Sequence, residues 1–190
     1  MVFKFFRKIS NPVGVVIITA VTILAFWLVD IHGVPGVPQS HVLSDVGILD
    51  TAINYSPADA YDRIAAYGEQ GRYAYLVFLE CVDFLFPLIY GFFFVMTTVF
   101  GFSRIFPGKP GLQKLCLLPL CATFFDYSEN VCFLIMLKSY PKRLDAIARV
   151  ANVFTLAKWG FALISILLLL IILIGFFVTK LFRRGINQRN

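Results

Sequence analysis

Long apolar runs separated by short polar segments dominate this chain. A helix of about 20 apolar residues crosses the hydrocarbon core of a bilayer, and four runs approach or exceed that length. These runs cover residues 12–30, 73–102, 112–137 and 152–182. The pattern therefore predicts an all-α, four-helix transmembrane bundle that forms a single domain over residues 1–190.

The only long polar segment, residues 31–72, connects the first two runs. It opens with a glycine- and proline-rich stretch, 33–38, which cannot be helical. Further on, Ser56 suits an N-cap, Pro57 the first helical position, and Asp59 the third residue of a near capping box. The residues after this cap fall near one face and are Ala60, Tyr61, Ile64 and Tyr67. We expect a short amphipathic helix in this loop, lying at the membrane surface.

Basic residues outside the four runs and at their ends are distributed unequally between the two sides of the predicted bundle. The side of the termini carries ten lysines and arginines, whereas the other side carries six beside an acidic loop. The positive-inside rule then predicts a multi-pass protein with both termini in the cytoplasm. The first run follows basic residues and thus resembles a secretory signal. It is longer than a typical signal core and no clear cleavage site follows, which favours a retained span.

Composition excludes several other classes of protein. Hydrophobic residues make up 59% of the chain, and the +6 net charge is explained by the ends of the spans, so no nucleic-acid partner is predicted. The four cysteines all lie inside apolar runs without a C-x-x-C pair: Cys81, Cys116, Cys121 and Cys132. The two histidines, His32 and His41, lie in the polar loop. A thiol redox centre and a metal site built from histidine or cysteine are therefore not predicted, and no cofactor is identified.

Three of the predicted spans carry a stripe of polar residues. Steps of three or four residues place each stripe on one helical face. The stripes are Glu80, Asp83, Pro87 and Tyr90 in the second span, Thr123, Asp126, Glu129 and Asn130 in the third, and Thr155, Lys158, Ala162 and Ser165 in the fourth. Each ionised group facing lipid near the bilayer centre would cost about 2.5–3.5 kcal/mol. We therefore expect the stripes to converge at a similar depth in the outer half of the bundle.

The candidate polar pocket contains more acid than base. Its predicted members are Glu80, Asp83, Tyr90, Asp126, Glu129, Asn130, Thr155 and Lys158. Four carboxylates against one ammonium leave three negative charges without partners, which a low-dielectric interior does not tolerate. Protons, a divalent metal on oxygen ligands, or an organic cation could each supply the missing positive charge.

The same motifs carry a resemblance. A group of small four-span integral membrane proteins with no assigned activity is similar in its motifs, which here are Tyr55-Ser56-Pro57 through Tyr67-Gly68 and Gly71-Arg72, Asp83-x-x-Phe86-Pro87-x-x-Tyr90, Phe125-Asp126-x-x-Glu129-Asn130 and Lys158-Trp159. The resemblance covers roughly residues 55–165 and implies a fold without implying a reaction. The general layout is also similar to that of sterol-isomerase-like membrane proteins, as an analogy at the level of the fold.

Three functional hypotheses follow. The first is a pocket that binds or transfers a lipid-like or cationic small molecule or a proton, with Asp83, Asp126 and Glu129 as acceptors and Lys158 as the counter-charge. The second is a structural or assembly subunit whose buried charges only lock helices together. The third is a membrane-embedded acid-base enzyme acting on a lipid. The expected partners are the lipid bilayer and a lipid or small-molecule ligand, and the oligomeric state is left open.

Overall fold

The computed structural model describes residues 2–32 and 46–187, and both ranges are helical without strands. The elements are α1 (Val2–Ile9), α2 (Pro12–His32), a 3-10 turn (Leu49–Thr51), α3 (Pro57–Ala66), α4 (Gly68–Val77), a π-helical turn (Phe78–Val82), α5 (Phe86–Ile105), α6 (Pro110–Lys114), a second 3-10 turn (Leu115–Leu117), α7 (Pro119–Ser139) and α8 (Asp145–Asn187). The predicted turn at 33–38 and the histidine His41 lie outside the described residues.

The prediction of a helical protein is confirmed for the described residues, and three to four of its helices are candidate membrane spans. Phe86–Ile105, Gly111–Ser139 and Asp145–Lys180 are each long and apolar enough to cross a membrane. Val2–Ile9 and Pro12–Leu28 meet at a bend of 92° and would make a fourth span if the pair counts as one. Helices α5, α7 and α8 contact one another, with α7 and α8 packed along each other, and α2 packs against α5.

The second predicted span, residues 73–102, is not one continuous α-helix. It is interrupted by the π-helical turn Phe78–Val82, in which the Asp83 amide donates to the Phe78 carbonyl at 2.9 Å, and the spanning helix restarts at Phe86. Pro87 lies at the start of this helix, where its missing N–H costs least. The restart near Pro87 and the wider π turn both change the register that an uninterrupted helix would have.

The amphipathic helix predicted in the first loop is present as α3. Ser56 caps it with a full capping box: its hydroxyl accepts from the Asp59 amide at 3.2 Å, and its own amide donates to the Asp59 carboxylate at 2.8 Å. The helix ends before Gly68, whose φ of +63° is the left-handed conformation that glycine adopts without strain. Its apolar face is buried in a protein core, so α3 packs against other helices.

We predict that Ser56→Ala lowers the free energy of unfolding by about 1 kcal/mol, the usual effect of losing an N-cap. Hydrogen bonds from the Ser56 amide and hydroxyl hold the pKa of Asp59 below its ordinary value. The stability they supply is present above the ordinary aspartate pKa and is lost as pH falls through the lowered one. The difference in the free energy of unfolding between Ser56→Ala and the unsubstituted protein should therefore become smaller at acidic pH. Unfolding titrations in mixed micelles at several pH values measure it.

The matched control is Ser128→Ala, because the Ser128 hydroxyl is exposed and only donates to the Phe124 carbonyl within its own helix. We expect a change within about 0.5 kcal/mol there, as for most surface substitutions. An equal loss in both variants would mean that the capping box contributes nothing specific.

Two hydrophobic cores occupy opposite ends of the helices. The first packs α3 and α4 against the end of α7 and the start of α8, with Tyr75, Phe133 and Met136 fully buried. The second packs α1 and α5 against Cys116 and the later part of α8, at Leu168 and Ile172. Along α7 and α8, the predicted polar residues lie between the residues that belong to the first hydrophobic core and those that belong to the second. The polar groups are therefore enclosed by apolar packing on both sides.

Candidate functional site

Buried polar side chains from five segments meet between the two cores. We call this group the acidic chamber; its members are Asp50, Asp83, Tyr90, Asp126, Glu129, Asn130, Thr155 and Lys158. Asp50 comes from the first 3-10 turn, Asp83 follows the π-helical turn, and the rest lie on α5, α7 and α8. All are buried except Asp50 and Tyr90, which are partly buried.

Lys158 is the centre of the chamber. Its ammonium contacts the carboxylates of Asp50 and Glu129, lies 3.8 Å from Asp126 Oδ1, and donates to the Asp50 backbone carbonyl at 3.2 Å. The Lys158 side chain is 7% exposed and that of Glu129 is fully buried. A single cation therefore joins the 3-10 turn to α7 and α8.

Hydroxyl groups satisfy some of the remaining carboxylate oxygens. Thr155 donates to Glu129 Oε1 at 2.5 Å, and the Tyr55 hydroxyl lies 3.2 Å from the same Thr155 oxygen. Tyr90 donates to Asp126 Oδ2 at 2.6 Å. Glu129 and Asp126 are thus held from two sides, by the ammonium and by a hydroxyl, which fixes their positions.

Four buried oxygens of the chamber have no hydrogen-bond partner among the described residues, and two of them, Asp126 Oδ1 and Glu129 Oε2, lie beside the Lys158 ammonium. Asp83 Oδ2 and Asn130 Oδ1 are buried and receive no donor from any described residue. Asp83 is 4% exposed and Asn130 is 5% exposed. Asn130 Nδ2 donates to the Asp83 backbone carbonyl at 3.4 Å, so its amide lies beside Asp83. Buried polar atoms without partners are rare in native proteins and are often explained by an ion or a water.

The helices approach closely at the level of the chamber. Gly91 on α5 faces Thr123 on α7, where a Cβ on the glycine would overlap the threonine hydroxyl. That hydroxyl donates to the Pro87 carbonyl at 3.1 Å and so links α7 to the start of α5. Small residues at such crossings bring side chains of the two helices within contact distance.

The structure does not bring Glu80 into the chamber, and this part of the predicted pocket is wrong. The Glu80 side chain is 49% exposed and pairs with Lys138 at 2.7 Å. The prediction assumed α-helical spacing from Glu80 to Tyr90, whereas the π-helical turn and the break after it rotate Glu80 away from Asp83. The other seven predicted residues lie in the chamber.

Asp50 takes the fourth acidic position and was missed by the sequence analysis. It lies in the long polar segment, residues 31–72, and its backbone amide donates to the Tyr75 hydroxyl at 3.3 Å. The short apolar run Val46-Gly47-Ile48-Leu49, unusual in a polar loop, is the sequence signal that could have indicated burial of its neighbour. Tyr55 was also missed. Burial raises the pKa of its hydroxyl, which therefore stays protonated and able to donate.

The excess of acid over base that was predicted from sequence persists when Asp50 replaces Glu80 as a member of the chamber. Within the described chain, four carboxylates and one ammonium make up the ionisable acids and bases of the chamber. Carboxylate oxygens of Asp50, Asp83 and Asp126 lie within 4.8 Å of one another, an arrangement that could hold a metal ion. The chamber thus offers oxygen ligands that are buried, close together and short of positive charge.

Searches against family models, curated proteins and solved structures find no match to this chain.

Proposed function

We propose that the protein is a four-span integral membrane protein with both termini in the cytoplasm and the acidic chamber in the outer half of a helical bundle. The spans would be α2, α5, α7 and α8, with α3 lying over the outer end. The distribution of basic residues supports this orientation, and the contacts of α2 with α5 support a fourth helix beside the other three. The same layout is implied by the resemblance to small four-span membrane proteins.

We propose further that the chamber binds a cation. The observation that carries this proposal is the set of four carboxylates around one ammonium, with a buried oxygen of Asp83 left without a partner. Uncompensated charges in a low-dielectric space are costly, and a bound cation removes that cost. The ligand would be a metal ion or the ammonium group of a lipid or small molecule. The residues that orient it would be Tyr90 and Asn130.

The test is thermal unfolding of the protein in nanodiscs, with calcium chloride, choline or ethanolamine added and sodium chloride as the ionic-strength control. At a hundredfold excess over its dissociation constant a ligand adds about 2.7 kcal/mol of stability. At about 2–4 °C per kcal/mol, we expect at least one cation to raise the midpoint by roughly 5–10 °C. Asp126→Asn should remove this increase, because it deletes a charge of the chamber while Lys158 remains.

Glu80→Gln is the matched control, since Glu80 is an acid of the preceding segment that pairs with Lys138 outside the chamber. It should retain the full stabilisation. Cations that leave the unsubstituted protein unchanged, or that stabilise Asp126→Asn equally, would contradict the proposal.

A structural lock is the second candidate, favoured by the contacts of Lys158 with Asp50 and Glu129. In that case the ion pairs would serve only to tie the loop, α7 and α8 together. The two candidates differ over Asp83, which has no direct contact with Lys158 among the described ion pairs and which a lock does not need.

A further inference from the structure

We infer that the chamber holds a hard divalent metal ion of the calcium, magnesium or manganese class, bound between Asp50, Asp83 and Asp126. This inference rests on the proposed cation binding and names the chemical class of the cation and its ligands.

The spacing of the three carboxylates suits a metal ion. Their oxygens lie within 4.8 Å of one another, and an ion centred among oxygens at that limit would be about 2.8 Å from each. Closer spacing brings the distance into the range of about 2.3–2.6 Å at which calcium binds oxygen. Only small side-chain adjustments would be required.

A second observation, distinct from the spacing of the carboxylates, also points to a ligand at this place. Asp83 Oδ2 and Asn130 Oδ1 are both buried without a hydrogen-bond donor, and the Asn130 amide is held beside Asp83. A carboxylate oxygen and an amide oxygen are acceptors that a calcium ion uses as ligands. A bound ion would satisfy Asp83 Oδ2, and Asn130 Oδ1 is a further buried acceptor on a side chain that lies beside Asp83.

The kind of ligand narrows the choice of metal. Asp50, Asp83 and Asp126 offer only carboxylate oxygens, which favour calcium, magnesium and manganese over zinc or copper. Glu129 is not among the three clustered carboxylates, and its oxygens contact Lys158 and Thr155, so it would stay outside the coordination sphere.

The balance of charge fits a divalent ion. With four ionised carboxylates, Lys158 and one divalent ion together leave a single negative charge, whereas Lys158 alone leaves three. The ion would offset the aspartates, while Lys158 would offset Glu129 and keep its contact with Asp50.

Asp50 marks the side from which the ion would enter. It is carried by the 3-10 turn Leu49–Thr51, and its side chain is 20% exposed while those of Asp126 and Lys158 are 7% exposed. Because Asp50 lies in a turn, its substitution removes a contact of Lys158 but changes no residue of a spanning helix.

The experiment uses manganese as the probe. The full-length protein is placed in phosphatidylcholine nanodiscs, which carry no anionic lipid, and free Mn²⁺ is followed by its electron paramagnetic resonance signal. We expect one Mn²⁺ bound per chain and displacement by excess Ca²⁺ or Mg²⁺. Asp50→Asn and Asp83→Asn should each weaken Mn²⁺ binding at least tenfold. Asp62→Asn, an exposed acid of α3, should bind Mn²⁺ as the unsubstituted protein does.

The outcomes separate this inference from the proposed function. If Mn²⁺ binds no more than to empty nanodiscs while choline or ethanolamine still raises the unfolding midpoint, the metal site is overturned and the cation chamber survives. If neither metal nor amine acts, both are overturned. Unchanged Mn²⁺ affinity in Asp50→Asn, with folding verified by its thermal transition, also overturns the metal site even if Asp83→Asn does not fold.

Discussion

Lys158→Met should lower the free energy of unfolding by about 3–5 kcal/mol, the cost of removing one partner from a buried ion pair. The substitution leaves Asp50 and Glu129 without their contact and raises the net charge of the chamber from three to four negatives. Methionine fills a similar volume, so loss of packing contributes little. The measurement is an unfolding titration of purified protein in mixed micelles.

Lys138→Met is the control for this substitution, since the Lys138–Glu80 pair is exposed and such pairs contribute about 0–1 kcal/mol. Two double variants then identify the partner of Lys158. Adding either Glu129→Leu or Asp126→Leu to Lys158→Met returns the chamber to three negative charges. Of these two acids, Glu129 contacts the ammonium directly, whereas Asp126 lies 3.8 Å from it. We expect the larger coupling energy in the cycle with Glu129. Equal coupling in both cycles would mean that net charge, and not contact, determines stability.

The part of the chamber on α7 and α8 could be predicted because those helices are regular. Helix α7 runs from Pro119 to Ser139 without interruption, so Asp126, Glu129 and Asn130 keep the three- and four-residue spacing that places them on one face. Thr155 and Lys158 follow the same rule on α8. Periodicity and the cost of charges in lipid were sufficient there, since no change of register intervenes.

The rest of the chamber depends on features that periodicity does not contain. Glu80 was misplaced because a π-helical turn, which widens one helical turn, has no clear signal in residue spacing. Asp50 was missed because its burial depends on a tertiary contact with Tyr75 and Lys158, which lie 25 and 108 residues away in the chain. Helix α1 was not predicted either. A helix of eight residues is too short to be stable alone, and this one is held by the packing of Phe6 in the second hydrophobic core.

Isolated buried charges are usually removed by evolution or paired, so an acidic chamber with an excess of carboxylates is more consistent with ligand binding than with stability alone. Lys158 and its contacts explain Glu129 and part of Asp126, but they leave Asp83 without a structural role. Asp83 is therefore the residue at which binding and stability should have opposite requirements.

Asp83→Asn should raise the stability of the cation-free protein by about 1–3 kcal/mol, because it removes a buried charge that has an unsatisfied oxygen. The new amide would also provide donors close to the carboxylates of Asp50 and Asp126. The same substitution should abolish the stabilisation by added cations. As the cation concentration rises, the free energy of unfolding of the unsubstituted protein should therefore reach or exceed that of the variant. Parallel unfolding titrations with chelator and with saturating cation measure both effects.

Glu80→Gln serves again as the control, and it should change stability by no more than about 0.5 kcal/mol in either condition. A cation-free Asp83→Asn protein less stable than the unsubstituted one would assign Asp83 to the helix lock, because its carboxylate would then be holding the chamber together. Higher stability combined with lost cation response has no explanation in a purely structural role. It requires that Asp83 is kept ionised and poorly paired for the sake of a positively charged ligand.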